Sequence, residues 1–452
     1  MFGVIFIFCG DNNLKIKEDN MDSIWKQDIH LPEFPKLTQD ISTDVLVIGG
    51  GIAGILTAYC LKEKGVDCVL VEKDRLLWGT TGNTTAKITY QHGLIYQKLM
   101  KTHGLEGAEM YSKANRLAFE KLSELCQHKD CDFEFKDNYV YSVNNRKALE
   151  KELLALDRIG VNVEITDRPN IPIKTVGALK FPNQAQFHPL KFLSFIVKEL
   201  NIFENTKVTE LVGTTAKVDN LKIKAKKIVV ATHFPFLNKH GSYFLKLYQH
   251  RSYVIALKNA QDVDGMYVDE SKTGLSFRNY KDILLLGGGG HRTGKQGGNW
   301  AELRRFAKSA YPNAVEVGFW AAQDCMSLDS VPYIGQYSKN TPDIYVATGF
   351  NKWGMTSSML AGLLLSEMIS SEEPDYLEVF NPSRNILKPQ LLVNGFEAVT
   401  NLVTPAKKRC PHLGCALKWN KTERSWDCAC HGSRFSESGK VLDNPATDDL
   451  PE

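Results

Sequence analysis

The sequence has no dominant charge: 55 lysines and arginines against 52 aspartates and glutamates leave a formal net charge of +3. A balance so near zero gives no field strong enough to hold a polyanion, so nucleic acid is not expected and a small molecule is the better partner. A long apolar run is also lacking. MFGVIFIFCG at the start is too short to span a bilayer and no basic residues precede it as a signal peptide requires, so no transmembrane segment is expected and the chain reads as cytoplasmic. Because Met21 opens a more ordinary polar leader, the first twenty residues read as an upstream-start artefact or a disordered tail. Cysteine is present but not distributed as in a bridged secreted protein. Of ten, six stand singly at Cys9, Cys60, Cys68, Cys126, Cys131 and Cys325, as buried small apolar residues of a reducing compartment do, while four crowd between Cys410 and Cys430 as a metal or cluster site would. With 452 residues, 43% of them hydrophobic, the chain is long enough for two or three cores.

The stretch from Thr43 to Glu72 organises the rest. Asp44 to Ile48 has the length and apolarity of a strand, Gly49-Gly50-Gly51-Ile52-Ala53-Gly54 is a turn, and Ile52 to Lys64 has helical apolar spacing that Gly65 stops. Gly49, Gly51 and Gly54 fit Gly-x-Gly-x-x-Gly: a tight turn, room for backbone beside a pyrophosphate, and close packing of helix on strand, with the helix N-terminus facing the phosphates. Glu72 ends the next strand, Val66 to Val71, where a carboxylate accepts both ribose hydroxyls and disfavours a 2′-phosphate. A dinucleotide site follows from this spacing; NAD and FAD remain open at this point.

After Glu72 and Lys73, the loop LLWGTTGNTTAKITYQHG is dense in small hydroxyl residues and glycine. From here the pattern resembles the D-amino-acid oxidase and glycine oxidase family of FAD enzymes, and the resemblance tightens again at WAAQDCMSLDSVPYIG and IYVATGFNKWGMTSSMLAGLLLSEMI. The resemblance implies that Thr80, Thr81, Gly82, Thr84, Thr85 and Ala86 line the flavin ring, that Val208 gives backbone contacts to adenine, and that Ala231-Thr232 turns beside the dinucleotide. It further implies that Gly349, Phe350, Asn351, Gly354, Met355 and Thr356 run along the flavin pyrimidine edge, supported by Asp329, Pro332, Ile334 and Gly335. The turn holds no cysteine or histidine for a covalent flavin link, so FAD is expected noncovalently. Gly287 to Gly290 fit no Gly-x-Gly-x-x-Gly register, so a separate NAD(P)H domain is not expected.

Between these blocks, Gly104–His128 and Arg146–Ile159 read as helices, and Phe133–Val143, Val161–Ile165, Gln249–Leu257 and Leu275–Leu286 as strands. This mixed region suits an inserted substrate domain. Arg278, on one of its strands, is the candidate partner for a substrate carboxylate, with Tyr253 and Arg251 as further candidates. His188 reads as structural.

Near the end stands CPHLGCALKWNKTERSWDCACHGSRF. Cys410-x-His412 and Cys428-x-x-His431 resemble the ligand boxes of a Rieske protein, and the resemblance implies a [2Fe-2S] cluster on these four residues with Cys415 and Cys430 as a disulfide beside it. Two thiolates then hold one iron and two imidazoles the other, which raises the potential. Two cysteines with two histidines can also close a structural zinc site; the additional cysteine pair and the residues around the ligands favour the iron–sulfur reading.

The expected architecture is an α/β FAD-binding Rossmann-type domain (residues 43–90, 180–235 and 325–371) with an inserted α+β substrate domain (91–179 and 236–324). Residues 1–42 are a leader, partly disordered; 372–395 are a linker of little periodicity; 396–452 are a small all-β Rieske-like domain. The expected function is oxidation of an amine or amino acid by hydride transfer to FAD, as a dehydrogenase rather than a simple oxidase, with electrons leaving through the cluster to an unidentified acceptor. A redox-sensing or electron-transfer protein without amine turnover is the other reading.

Overall fold

A run such as Thr43-Asp-Val-Leu-Val-Ile48 buries both faces, and the computed structural model places it in the middle of a parallel sheet. Residues 22–27, 29–237, 240–271 and 274–451 are described, and the reading of residues 1–20 lies outside them. Strand Ile41–Ile48 pairs in parallel with Leu221–Val230 on one side and Cys68–Val71 on the other. Ile344–Thr348 and Asn201–Phe203 extend the sheet in parallel on either side, and Tyr333–Gln336 adds an antiparallel strand outside Ile344–Thr348. Strand order therefore reverses direction at Ile41–Ile48, and the crevice beyond its carboxyl end is where doubly wound sheets hold ligands.

Two helices cover this sheet. Ile52–Glu63 and Gly354–Ile369 are buried on nearly every side, so they carry apolar residues all round instead of one stripe. They approach closely: a Cβ on Gly362 would stand 2.9 Å from the carbonyl oxygen of Leu56.

A nine-stranded mixed sheet forms the second layer, built on Leu247–Lys258, which lies between Ile283–Arg292 and Val315–Ser327. The single strand expected over 275–286 is a hairpin, Ser276–Tyr280 and Ile283–Arg292, turning at Lys281 with a left-handed φ of 52°. Gly287 to Gly290 lie inside its second strand. The expected helices are present as Tyr96–Gln127, broken at Gly104, and Arg146–Arg158.

The leader is packed where it is described. Trp25 is fully buried beside His188 and Tyr280, its indole N–H donates to the carbonyl of Thr84 at 2.6 Å, and the Ser23 hydroxyl donates to that of Gly82. An apolar ring in a polar leader is thus the clamp of the glycine-rich loop.

The linker expectation is corrected as well. Residues 377–380 and 389–403 are helices, Leu377–Phe380 and Pro389–Val403, the second reaching into the C-terminal unit. That unit is then a four-stranded antiparallel meander, Leu417–Asn420, Ser425–Cys428, Arg434–Ser436 and Val441–Asp443. Among the described residues no helix is long and apolar enough to cross a membrane.

Candidate cofactor cavity and cluster site

A cavity of about 990 Å³ opens at the switch point of the parallel sheet and runs between the two layers. Its floor is the glycine turn. Gly49 has φ 116° and a Cβ there would meet the Ala231 carbonyl oxygen at 2.6 Å; a Cβ on Gly51 would project to 3.3 Å from the Thr81 hydroxyl. Ile52, which opens the helix, takes that hydroxyl as acceptor for its N–H at 3.0 Å. Glu72 braces the turn, its carboxylate accepting from the N–H of Gly50 at 2.7 Å and of Asp74 at 3.0 Å. Burial raises its pKa against those hydrogen bonds, and each oxygen keeps lone pairs for a ribose hydroxyl. Backbone room, helix N-terminus and acceptor fit an FAD.

Gly49, Gly51, Ile52, Ala53, Glu72, Lys73, Thr80, Thr81, Thr84, Thr85, Val208, Ala231, Thr232, Gly349, Phe350, Asn351, Gly354 and Met355 all stand on the cavity wall. Four expected residues do not, and each has another task. Gly54 lies against the Gly49 carbonyl oxygen, 2.0 Å from where its Cβ would be; Gly82 packs on Leu77. Ala86, at φ 54°, turns its carbonyl to Arg278, and the Thr356 hydroxyl donates to the Thr89 carbonyl at 2.8 Å. Asp329 is held in a two-pronged ion pair by Arg384, both contacts at 2.8 Å.

The substrate candidates are placed differently from expectation. Arg278 is fully buried off the cavity wall, its Nη1 donating to the carbonyls of Thr85 at 2.8 Å and Ala86 at 2.7 Å with Trp25 across its face. Strand alternation put it inside, and the loop then lies between it and the cavity. Arg278→Met is therefore expected to weaken FAD retention roughly tenfold, about 1.4 kcal/mol, without a selective rise in substrate KM; FAD titration against substrate kinetics checks this. Arg251 is also off the wall and pairs with Glu423. Tyr253 does line the cavity, with its hydroxyl donating to Glu423 at 2.8 Å and lying 2.9 Å from His291 Nε2.

Sequence reasoning passed over Lys87 and His92, which sit on the wall beyond the hydroxyl-rich loop. Burial, with Arg278 nearby, lowers the pKa of Lys87 to about 7, and no carboxylate pairs with it among the described residues; Thr85 Oγ1 accepts from it at 3.1 Å. His92 is held neutral by burial, its pKa about 3, and stacks on Trp353 at 5.0 Å. A lysine following a run of threonines was the available signal.

The second site lies in the C-terminal unit. Cys410 and Cys428 hydrogen-bond through their thiols, and that contact, with Ser433 and backbone N–H groups, lowers the Cys410 pKa to about 7. The rings of His412 and His431 stand 4.9 Å apart, and burial keeps both imidazoles neutral, at about 4 and about 3. Their Nδ1 atoms are buried and make no hydrogen bond. The same contact and burial raise the Cys428 thiol, so the pair shares a proton that a metal would displace. Two such thiols with two buried imidazole nitrogens are the donor set of a Rieske cluster, and those nitrogens are what an iron would satisfy. Cys415 and Cys430 form the disulfide, close beside Cys428.

The two sites adjoin. Phe234 of the flavin unit packs on His412 and His431 at 6.3 and 6.4 Å, and Phe244 on His431 at 6.2 Å. The Gln323 side-chain amide donates to the Gly432 carbonyl at 2.8 Å, while the Gln323 backbone carbonyl accepts from the Thr80 hydroxyl at 3.0 Å. Glu423 of the meander is buried between Arg251 and Arg434; burial alone would raise its pKa, and the two guanidiniums bring it down to about 2. Residues 441–444, 446, 447 and 449 even form part of the cavity wall.

Comparisons with known proteins agree with this division. The FAD dependent oxidoreductase family matches residues 44–368, and the Rieske [2Fe-2S] domain matches 389–452. YhfW of Bacillus subtilis, named for a Rieske 2Fe-2S centre, is 33% identical and aligns over 97% of this chain and 99% of its own. Gamma-glutamylputrescine oxidoreductase of Escherichia coli is 23% identical over 75% of this chain and 86% of its own. Glycine oxidase from Geobacillus kaustophilus has a similar fold, with TM-score 0.64 at 18% identity over 76% of this chain and 99% of that one. With a dinucleotide cavity in one unit and a thiol–imidazole site in the other, the chain belongs to the FAD-dependent oxidoreductase family of the D-amino-acid oxidase type and carries a C-terminal Rieske [2Fe-2S] domain.

Proposed function

We propose that the chain oxidises a small amine or amino acid as a dehydrogenase, electrons leaving the site singly through the Rieske centre to a separate acceptor. Bound FAD supplies the two-electron chemistry and the cluster a one-electron exit. The observation that carries this reading is the packing of both cluster histidines on Phe234, and of His431 also on Phe244, which sets the imidazoles beside the flavin-binding part of the chain. Gln323 adds a hydrogen-bonded link between the cluster loop and the flavin-lining loop.

The chain's own groups bind and orient. The walls exclude water from the reacting bond, and positioning the C–H bond over the ring asks for no dedicated base. Lys87 offers a carboxylate-bearing substrate a cation, and Tyr253, fixed by Glu423 and His291, offers a second polar contact.

The Lys87 pKa gives a signed expectation. Being lowered to about 7, the amine is charged below that pH and neutral above it. Apparent affinity for an acidic substrate should thus rise as pH falls through 7. Lys87→Met should lose this dependence and raise KM by roughly 10- to 100-fold, the range of a hydrogen bond to a charged group. The reading itself is tested by anaerobic stopped-flow mixing with a panel of amines and amino acids. Bleaching of the flavin band by one of them is expected; reduction by a protein donor alone would favour the redox-sensing alternative.

A further inference from the structure

Helix Pro389–Val403 is built inside out. Its buried residues are Asn394 and Asn401, whereas Leu392, Phe396, Val399 and Val403 point outward at spacings of four, three and four, with exposures of 78, 70, 62 and 74%. Such spacing makes one continuous apolar stripe, and a surface helix ordinarily turns that stripe to the core. Here the polar side is what the protein holds. Asn394 accepts from Arg292 at 2.9 Å and donates to the Leu245 carbonyl at 3.3 Å; Glu397 pairs with Lys295 at 2.7 Å; the Asn401 carbonyl accepts from the Ala416 N–H at 2.8 Å. The inverted orientation is therefore fixed by bonds to both units and is not a fraying of the helix. Contiguous exposed apolar surface of this kind marks a contact site.

The charge around it says what the contact is. From Phe380 to Thr422 the sequence has seven lysines and arginines (Arg384, Lys388, Lys407, Lys408, Lys418, Lys421 and Arg409) and a single acid, Glu397, in a chain that is nearly neutral as a whole. Arg384 is spent on Asp329, and Glu397 is neutralised by Lys295. Lys388 flanks the start of the stripe, and Lys407, Lys408 and Arg409 follow its end. Arg409 also ties the helix to the cluster loop, donating to the carbonyls of Leu402 and Gly414 at 3.0 and 2.8 Å. In that loop Leu413, next to the ligand His412, is exposed as well. Large apolar residues along one side with basic residues at both ends are the pattern of a helix lying in the interface of an anionic bilayer.

We propose that helix 389–403 seats this protein on an anionic membrane surface, apolar stripe in the headgroup boundary, with the cluster loop held against the lipid. The proposal is independent of the amine reading, since it rests on this face alone.

The test is co-sedimentation of the holoprotein with vesicles of phosphatidylcholine containing about one third phosphatidylglycerol, beside vesicles of phosphatidylcholine alone, at low and high salt. Binding to the anionic vesicles should exceed binding to the neutral ones at least tenfold and weaken with salt. Phe396→Ser combined with Val399→Ser should lose at least tenfold in binding while FAD absorbance and the reduced-cluster signal stay unchanged, which separates lost docking from lost folding. Lys407→Glu with Lys408→Glu should lose the preference for anionic lipid. Three results would overturn the proposal: no binding by the wild type, binding unchanged in the serine variant, or a wild-type dimer that the serine variant converts to monomer, which would give the stripe to a second copy.

Discussion

Gly51→Val is expected to give a protein without bound flavin. The Cβ would enter the cavity 3.3 Å from the Thr81 hydroxyl, in the space where the turn leaves room for a pyrophosphate, and the valine methyls would extend further. Overpacking of a closed site costs about 1–3 kcal/mol, and here it also removes the ligand's place, so a loss of FAD affinity of about a hundredfold or more is the expected scale. The φ at Gly51 is −81°, so the backbone accepts a side chain and the fold should survive. The purified variant should lack the flavin bands while keeping the Rieske signal of the reduced cluster. Full retention of FAD would remove the dinucleotide assignment from this turn.

His431→Cys is expected to leave reduction of the flavin by substrate intact and to slow its reoxidation. A thiolate in place of a neutral imidazole makes the second iron's ligands more anionic, and centres with imidazole pairs lie at about −150 to +300 mV against about −400 mV for all-thiolate ones. A fall of more than about 100 mV, measured by redox titration, follows from one exchange of this kind. His412→Cys should act in the same direction. Metal analysis decides the premise: iron and labile sulfide are expected in protein made under iron-replete anaerobic conditions, and one zinc with no iron would reduce the unit to a structural knuckle.

Both ligand constellations were legible because each is local. Gly49 to Glu72 is one strand–turn–helix–strand unit, and Cys410 to His431 spans one hairpin with its two flanking loops, so spacing alone carries the chemistry. What was missed depends on long-range placement. Arg278 was correctly read as a strand residue, but alternation could not say that the loop at Thr85 and Ala86 would close between it and the cavity. Lys87 and His92 become wall residues only because Lys87–Ile88 joins the edge of the nine-stranded sheet. Trp25 sits in a polar leader whose composition conceals a clamp. Pro389–Val403 was passed over among Pro374, Pro382 and Pro389, although Leu392, Phe396, Val399 and Val403 keep helical spacing; that the stripe faces outward and not to a core depends on long-range placement.

The wall that residues 441–449 give to the flavin cavity has a consequence in time. Asn444 donates to the carbonyls of Thr232 at 2.6 Å and Phe234 at 2.8 Å, and the Thr447 carbonyl accepts from Lys207, so the last strand of the meander and the turn after it complete a site whose other walls were synthesised long before. A nascent flavin unit still without its meander has an open crevice, and only when the C-terminal unit has emerged and docked does the cavity acquire its final side. The C-terminal unit thus serves the flavin cavity as a wall as well as holding a site of its own.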